Sequence, residues 1–264
     1  MKLNSTLLLL TLVLAACGRG PATDERAADV ATEAEPVNYA AVLALPSRLE
    51  DDYARDAGRK PDQVLEFLGI DRGMAVLDLF AGGGYYTEIL SQVVGENGHV
   101  VSHSNEAYLN FVGEEFEQRH AAGRLPNVDV LMAENNELQL NESEFDAILL
   151  VLSFHDTYFA NPNSGWDKID VPKLLAELRN GLKDDGFIAI VDHYAEAGAP
   201  RETGGTVHRI DPQIVIADME AAGFVCVDKS DLLRNLNDDY STNVFAPEVR
   251  GKTDRFILRF EKAD

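Results

Sequence analysis

The chain has 264 residues, of which 45% are hydrophobic and 26% charged, enough to bury the core of one large α/β domain. Its formal net charge of −22 gives a surface that repels nucleic acid and anionic lipid, which argues against DNA or RNA as a partner. The two cysteines, Cys17 and Cys226, can build neither a disulfide framework nor a cysteine-based metal site.

In chain order, Lys2 is followed by the apolar run 7–14, too short to span a bilayer. Leu14-Ala15-Ala16-Cys17 and Gly18 come next. This arrangement resembles the lipobox of bacterial lipoproteins, in which cleavage precedes the cysteine and its thiol is lipidated. The resemblance implies a signal peptide over residues 1–16 and lipidation at Cys17. It also implies export to the periplasm and anchoring to the outer membrane, with the lipid as the membrane contact. Residues 17–38, rich in Ala, Glu, Asp, Thr and Pro, read as a flexible tether. Residues 39–264 read as the folded domain.

Within that domain, 47–59 reads as a charged helix and 61–70 as a second, with Pro61 in its first turn. Strand and helix then alternate. Strands are expected at 75–79, 99–102, 128–132, 146–152 and 187–191, and helices at 85–94, 106–121 and 172–182. Asp211 caps a helix over 212–222 that stops at Gly223, with strands at 224–229 and 255–260 beyond it. Cys226 reads as a buried strand thiol. The pattern predicts an α/β fold: a Rossmann-like, seven-stranded, mostly parallel sheet with helices on both faces. The connection 231–254 is long for a compact domain and reads either as a lid carrying Arg234, Asn235, Asp238, Asp239 and Arg250 or as a salt-bridged surface loop.

The segment Val76-Leu77-Asp78-Leu79-Phe80-Ala81-Gly82-Gly83-Gly84-Tyr85-Tyr86-Thr87 runs an apolar strand through an acid into a glycine-rich turn and a helix. Glycine permits positive φ and close backbone approach to a ligand. The turn sits at the carboxyl edge of the sheet, where open α/β folds bind ligands. This segment resembles the first motif of class I S-adenosylmethionine (SAM) methyltransferases. So do the turn 95–101, Glu134 after the third strand, and Leu182-Lys183-Asp184-Asp185-Gly186. RDAGRKP, SFHD, VDH, HRID and SDLLRN narrow the likeness to exported predicted methyltransferases of bacteria. The resemblance implies SAM as cofactor, with its methionine end in a hollow at Asp78, Gly82, Gly83 and Gly84 and its adenine near Glu134. Two positions depart from the family. Phe80 stands where the first motif glycine is usual, and Ser104 stands where an acid binds the ribose, Glu106 being the nearest acid. A nicotinamide reading is poorer, since the acid expected about 20 residues on is missing.

Ser153-Phe154-His155-Asp156 ends one strand and Asp192-His193-Tyr194 ends the next. His155 and His193 are candidate bases, with Asp156 or Asp192 orienting one of them. Catechol-type O-methyltransferases place metal-binding acids at equivalent points, so Asp156, Asp192 and His193 are also a candidate site for a divalent metal. Asp211 reads as a helix cap; Asp78 can instead serve only the loop backbone; His99, His103 and His120 read as surface or structural. Two functions stay open. One is a SAM-dependent methyltransferase acting on a small molecule. The other is a non-catalytic lipoprotein of the same fold that binds a metal or small ligand through the Asp/His cluster.

Overall fold

The structure is a computed structural model and describes residues 36–263. The expected signal peptide, Cys17 and all of the tether before Pro36 lie outside the described residues. Three short helices, α1 (Tyr39–Leu43), α2 (Glu50–Arg59) and α3 (Pro61–Leu68), precede the first strand. Then follow β1 (Ala75–Leu79), α4 (Tyr85–Val94), β2 (His99–Ser104), α5 (Glu106–Val112), α6 (Glu114–Arg119) and β3 (Val128–Met132). The second half holds β4 (Phe145–Val151), α7 (Val171–Gly181), β5 (Leu182–His193), α8 (Gly204–Val207), α9 (Pro212–Ala221), β6 (Phe224–Ser230) and β7 (Arg255–Lys262).

The seven strands form one sheet in the order β3-β2-β1-β4-β5-β7-β6. β1 to β5 pair in parallel, and β7 runs antiparallel to both β5 and β6. Side chains of the buried strands alternate between two apolar layers. Val76, Ala147, Leu149 and Ala189 face α3 and α4, whereas Leu77, Leu79, Ile148, Leu150, Ile188 and Ile190 face α7 and α9. Both faces are therefore covered, which is why these strands read as continuous apolar runs.

Three expectations are corrected. β5 starts at Leu182, not after a turn at 182–186, because Leu182 pairs with Phe145 before a register shift. The long charged helix is two, α5 and α6, since Gly113 takes φ 62° between them. Cys226 lies in a strand but is only half-buried, because β6 is an edge strand whose Val225 and Val227 are each 43% exposed.

The 231–254 connection is tied down. Buried Arg209 forms a bidentate pair with Asp238 at 2.7 and 2.9 Å, and Asp254 accepts from Arg234, Asn235 N and Tyr240. Asp239 closes a local turn on Thr242, and Arg250 is exposed.

Candidate functional site at the carboxyl edge of the sheet

β1 delivers Asp78 to the edge, where Thr87 Oγ1 on α4 donates to it at 2.6 Å. Burial raises the Asp78 carboxyl to about 6, and the Thr87 hydrogen bonds oppose that rise. The turn that follows needs left-handed backbone at three points: Phe80 (φ 56°), Gly82 (58°) and Gly84 (76°). The glycine usual at position 80 would reach this geometry freely, whereas an ordinary residue there costs about 1–2 kcal/mol. Phe80 is held by packing. Its ring stacks on Tyr108 at 5.5 Å and 12° and leans on His103 at 5.5 Å.

Tyr108, in the first turn of α5, reaches from the end of β2 across Phe80 to the end of β4, where its hydroxyl donates to Asp156 Oδ2 at 2.8 Å. Trp166 packs edge-on against it at 4.7 Å. Two stacked rings thus lie over the glycine loop, on the side where the methionine end of SAM is expected. The outer face of the loop is also covered. Glu115 lies where a side chain on Gly83 would go, a Cβ on Gly84 would meet Arg119 Cδ at 2.7 Å, and Arg119 Nε donates to the Gly83 carbonyl. The glycines at 83 and 84 therefore admit α6 close to the loop, while at Gly82 a Cβ would meet only Val112, at 3.5 Å.

The residues still fit SAM at its ends. Asp78 and Gly82 stand where its methionine end is expected. Glu134, bonded by Asn105 Nδ2 at 3.2 Å, lines a polar cavity of about 160 Å³ with Asn135 and Asp167 where adenine is expected. Between these ends, the Ser104 and Ser153 hydroxyls, at the tips of β2 and β4, are buried without a hydrogen-bond partner. Such orphans await a polar ligand or water. Ser104 thus occupies the ribose position without a carboxylate, and Glu106 is exposed.

β4 and β5 bring the Asp/His groups together, in a cross-strand pairing. Asp192 Oδ1 lies 2.7 Å from His155 Nδ1 and accepts from His193 N at 2.7 Å, while Asp192 Oδ2 accepts from His155 N at 2.8 Å. His155 Nε2 lies 3.3 Å from Asp156 Oδ1, and His208 Nδ1 lies 3.4 Å from the same oxygen. Burial alone would lower the His155 pKa, but the Asp192 and Asp156 carboxylates carry it up to about 10. The two flanking carboxylates thus favour the charged imidazolium at His155, which leaves His193 the better candidate base. Burial pushes Asp156 up, but His155, His208 and Tyr108 hold it well below the usual carboxylate range. His193 is the opposite case. Burial, then the positive charge of His155 and of Arg255, Arg209 and Arg59, keep it neutral. Its Nδ1 lies 2.6 Å from Thr253 Oγ1, and its Nε2 has no hydrogen-bond partner among the described residues.

The expected metal set Asp156, Asp192 and His193 does not converge, because both Asp192 oxygens and His193 Nδ1 are already engaged. The groups that do converge are His155, Asp156 and His208, whose ligand atoms lie within 4.8 Å of one another. Sequence reasoning gives His208 no role, and it misses Tyr108 and Thr253 entirely. As expected, Asp211 caps α9, accepting from Gln213 N. His103 is structural, fully buried, with Nε2 3.0 Å from the Ala133 carbonyl. A larger cavity, about 1340 Å³, lies elsewhere, between residues 157–160, α7 and α9, and holds none of the expected site residues.

Comparison with known proteins agrees with this fold. The family model for protein-L-isoaspartate(D-aspartate) O-methyltransferase matches residues 57–156. The ubiquinone/menaquinone biosynthesis C-methyltransferase UbiE of Pseudoalteromonas translucida is 30% identical over 130 residues, 49% of this chain and 47% of the relative. A protein-L-isoaspartate O-methyltransferase of Thermotoga maritima is 50% identical over 38 residues, 14% of this chain and 12% of the relative. The chain thus spans about half the length, or less, of the curated relatives it matches. Among solved structures, a SAM-dependent methyltransferase from Aquifex aeolicus superposes with TM-score 0.53 and 24% identity, covering 85% of this chain and 98% of that one. A putative sarcosine dimethylglycine methyltransferase from Galdieria sulphuraria gives TM-score 0.56 at 19% identity, covering 78% and 86%. The chain has the fold of the class I SAM-dependent methyltransferases, and its sequence likeness to them includes the glycine loop.

Proposed function

We propose that the chain is a SAM-dependent methyltransferase that acts on a small molecule at the cell envelope, with residues 1–16 as its signal peptide and Cys17 as its lipid anchor. One observation carries the enzymatic reading. A glycine loop with positive φ at Gly82 follows the buried acid Asp78 at the tip of β1, and His193, with a free ring nitrogen, ends β5 two strands away at the same edge of the sheet. The Leu-Ala-Ala-Cys segment supports export.

Asp78 and the Gly82 backbone would hold the amino-acid end of SAM, and Glu134 would lie beside its adenine. When bound, SAM supplies an electrophilic methyl group on a sulfonium. The chain supplies alignment, exclusion of water and proton handling. His193 Nε2 is the proton acceptor for a hydroxyl acceptor, with Thr253 fixing the ring through Nδ1. His155, held between Asp192 and Asp156, fixes both carboxylates and presents positive charge beside the reacting groups.

Calorimetry of SAM with the full-length chain tests this. Saturable heat at micromolar to millimolar ligand is expected; a folded chain giving none would reject the enzyme.

A second reading has its own observation. The Phe80 and Tyr108 rings cover the glycine loop while His155, Asp156 and His208 converge. In that reading the fold is retained as a metal-binding or ligand-binding lipoprotein. Two histidines and a carboxylate with one histidine backed by Asp192 suit Zn, Mn or Fe. Stoichiometric metal in the purified protein, lost on His208→Ala, together with no SAM heat, would favour it.

A further inference from the structure

The RDAGRKP segment has no part in the site so far. It ends α2 with Arg59, whose guanidinium lies 4.4 Å from the centre of the Tyr85 ring and 6.0 Å from that of Tyr86. Among the described residues Arg59 makes no hydrogen bond and no ion pair. Arg255, the first residue of β7, lies beside it, because Arg255 Nη1 donates to the carbonyl of Gly58 at 3.0 Å. The two segments meet where a Cβ on Gly58 would clash with the Gly251 carbonyl at 2.7 Å, so glycine at 58 permits the approach. Arg255 Nε donates to Thr253 Oγ1 at 3.1 Å, the hydroxyl that also engages His193 Nδ1. Arg255 is paired with His193 across the β5–β7 ladder.

Arg255, Tyr86 and His193 are 3%, 3% and 6% exposed. Yet Arg255 Nη2, the Tyr86 hydroxyl and His193 Nε2 have no partner among the described residues, and none of them is sealed from solvent as an orphan. The contrast with Arg209 is direct. Buried Arg209 is matched by a bidentate carboxylate, Asp238, whereas buried Arg255 and half-buried Arg59 have no carboxylate bonded to them. Three acids face Arg59 and each is bonded elsewhere: Glu115 to Arg55 and Arg119, Asp56 to Arg48 and Tyr85, and Asp78 to Thr87. Asp192 and Asp238 face Arg255 but serve His155 and Arg209. Burial lowers the pKa of both guanidiniums, Arg255 to about 10. In a chain of net charge −22, a buried and a half-buried guanidinium with no carboxylate bonded to either leave donors open to an anion.

We infer that Arg59, Arg255 and Tyr86, beside His193, form a recognition site for an anionic group, a carboxylate or phosphate, carried by the methyl acceptor. This deepens the proposed methyltransferase reading and rests on it for the identity of the ligand as acceptor. The cluster joins Arg255, across the ladder from the candidate base on β5, with Arg59 and Tyr86 from the end of α2 and the start of α4, and Arg59 faces Asp78 at the tip of β1. An acceptor anchored there by its anion sets its hydroxyl beside His193 Nε2. Guanidinium forks suit such groups, since they donate two parallel hydrogen bonds.

The test is calorimetry of inorganic phosphate with the full-length chain at constant ionic strength. One saturable site is expected. Arg59→Gln, which removes no observed hydrogen bond, should weaken it about tenfold or more, and Tyr86→Phe several-fold. Lys262→Met, far along β7, should leave it unchanged. No saturable phosphate binding, or wild-type affinity in Arg59→Gln, overturns the site. The source of the anion is read by titrating SAM into Arg59→Gln. Unchanged SAM affinity assigns the site to the acceptor. A loss for SAM that is absent for decarboxylated SAM assigns it to the cofactor carboxylate and overturns the acceptor claim. Phosphate binding needs no SAM, so a chain that binds phosphate but not SAM refutes the methyltransferase reading and leaves the anion site standing.

Discussion

The two halves of the strand-end edge are built from different materials. Over β1 and β2 the edge is closed by neutral rings, Phe80, Tyr108 and His103, with Trp166 against them. Over β4, β5 and β7 it is a hydrogen-bonded set of both signs: Asp156, His155, Asp192, His193, Thr253 and Arg255. A side-chain hydrogen bond, Tyr108 to Asp156, joins them. Rings in an apolar stack can turn aside without stranding a charge. Members of a buried ionic network cannot, because each lost partner leaves a desolvated group behind. The ionic half is therefore preorganised and the neutral half adaptable.

Breaking the ionic half at its centre should have the largest effect. Asp192 is fully buried and engages three nitrogen atoms, on His155 and His193. Asp192→Ala leaves the imidazolium and two backbone N–H groups without that carboxylate. A loss of about 3–5 kcal/mol in urea unfolding is expected, the range for removing one partner of a buried ion pair. A loss under about 1 kcal/mol would mean that the network contributes little, and the contrast between the halves would fail.

A pH titration sharpens the same contrast. His155 is raised to about 10 from an unfolded value near 6.5, so its stabilising contribution is complete below about 6.5 and disappears as pH rises toward 10. His193 is lowered, so the stability it adds as a neutral ring is lost as pH falls below about 6.5. NMR of the imidazole nitrogens between pH 6.5 and 8.5 should find His155 charged and His193 neutral throughout. His155 titrating near its ordinary value would show that the Asp192 contact does not persist in solution.

Much of the frame was legible in the sequence, and particular residues show why. Ala75–Leu79, Tyr85–Val94 and Val128–Met132 are found at the expected bounds, the first two because glycines delimit the strand and the helix. Lys183, Asp184 and Asp185 looked like a turn, yet long-range pairing of Leu182 with Phe145 draws them into β5. The topology of open α/β sheets was enough to bring His155, Asp156, Asp192 and His193 to one edge. It could not tell that Asp192 pairs with His155, because adjacency in sequence suggests Asp192 with His193. Tyr108, Arg59 and the neighbours Thr253 and Arg255 come from three distant segments, and no local pattern announces their place at this edge. The closed glycine loop was hidden for a similar reason. Phe80 was visibly out of place, but the ring that stacks on it lies 28 positions later.

The smallest expected effect tests the link between the halves. Tyr108→Phe keeps the ring that covers the loop and removes only its hydroxyl. Asp156 keeps its contacts with His155 and His208, so the fold should lose only about 1 kcal/mol, the net worth of an ordinary hydrogen bond. If the ring must leave before a nucleoside enters, that loss comes off the closed state, and SAM should bind several-fold more tightly. Calorimetry of the variant decides the sign. Weaker SAM binding would instead make Tyr108 a partner that stacks on the cofactor, and the neutral half would then be as preorganised as the ionic one.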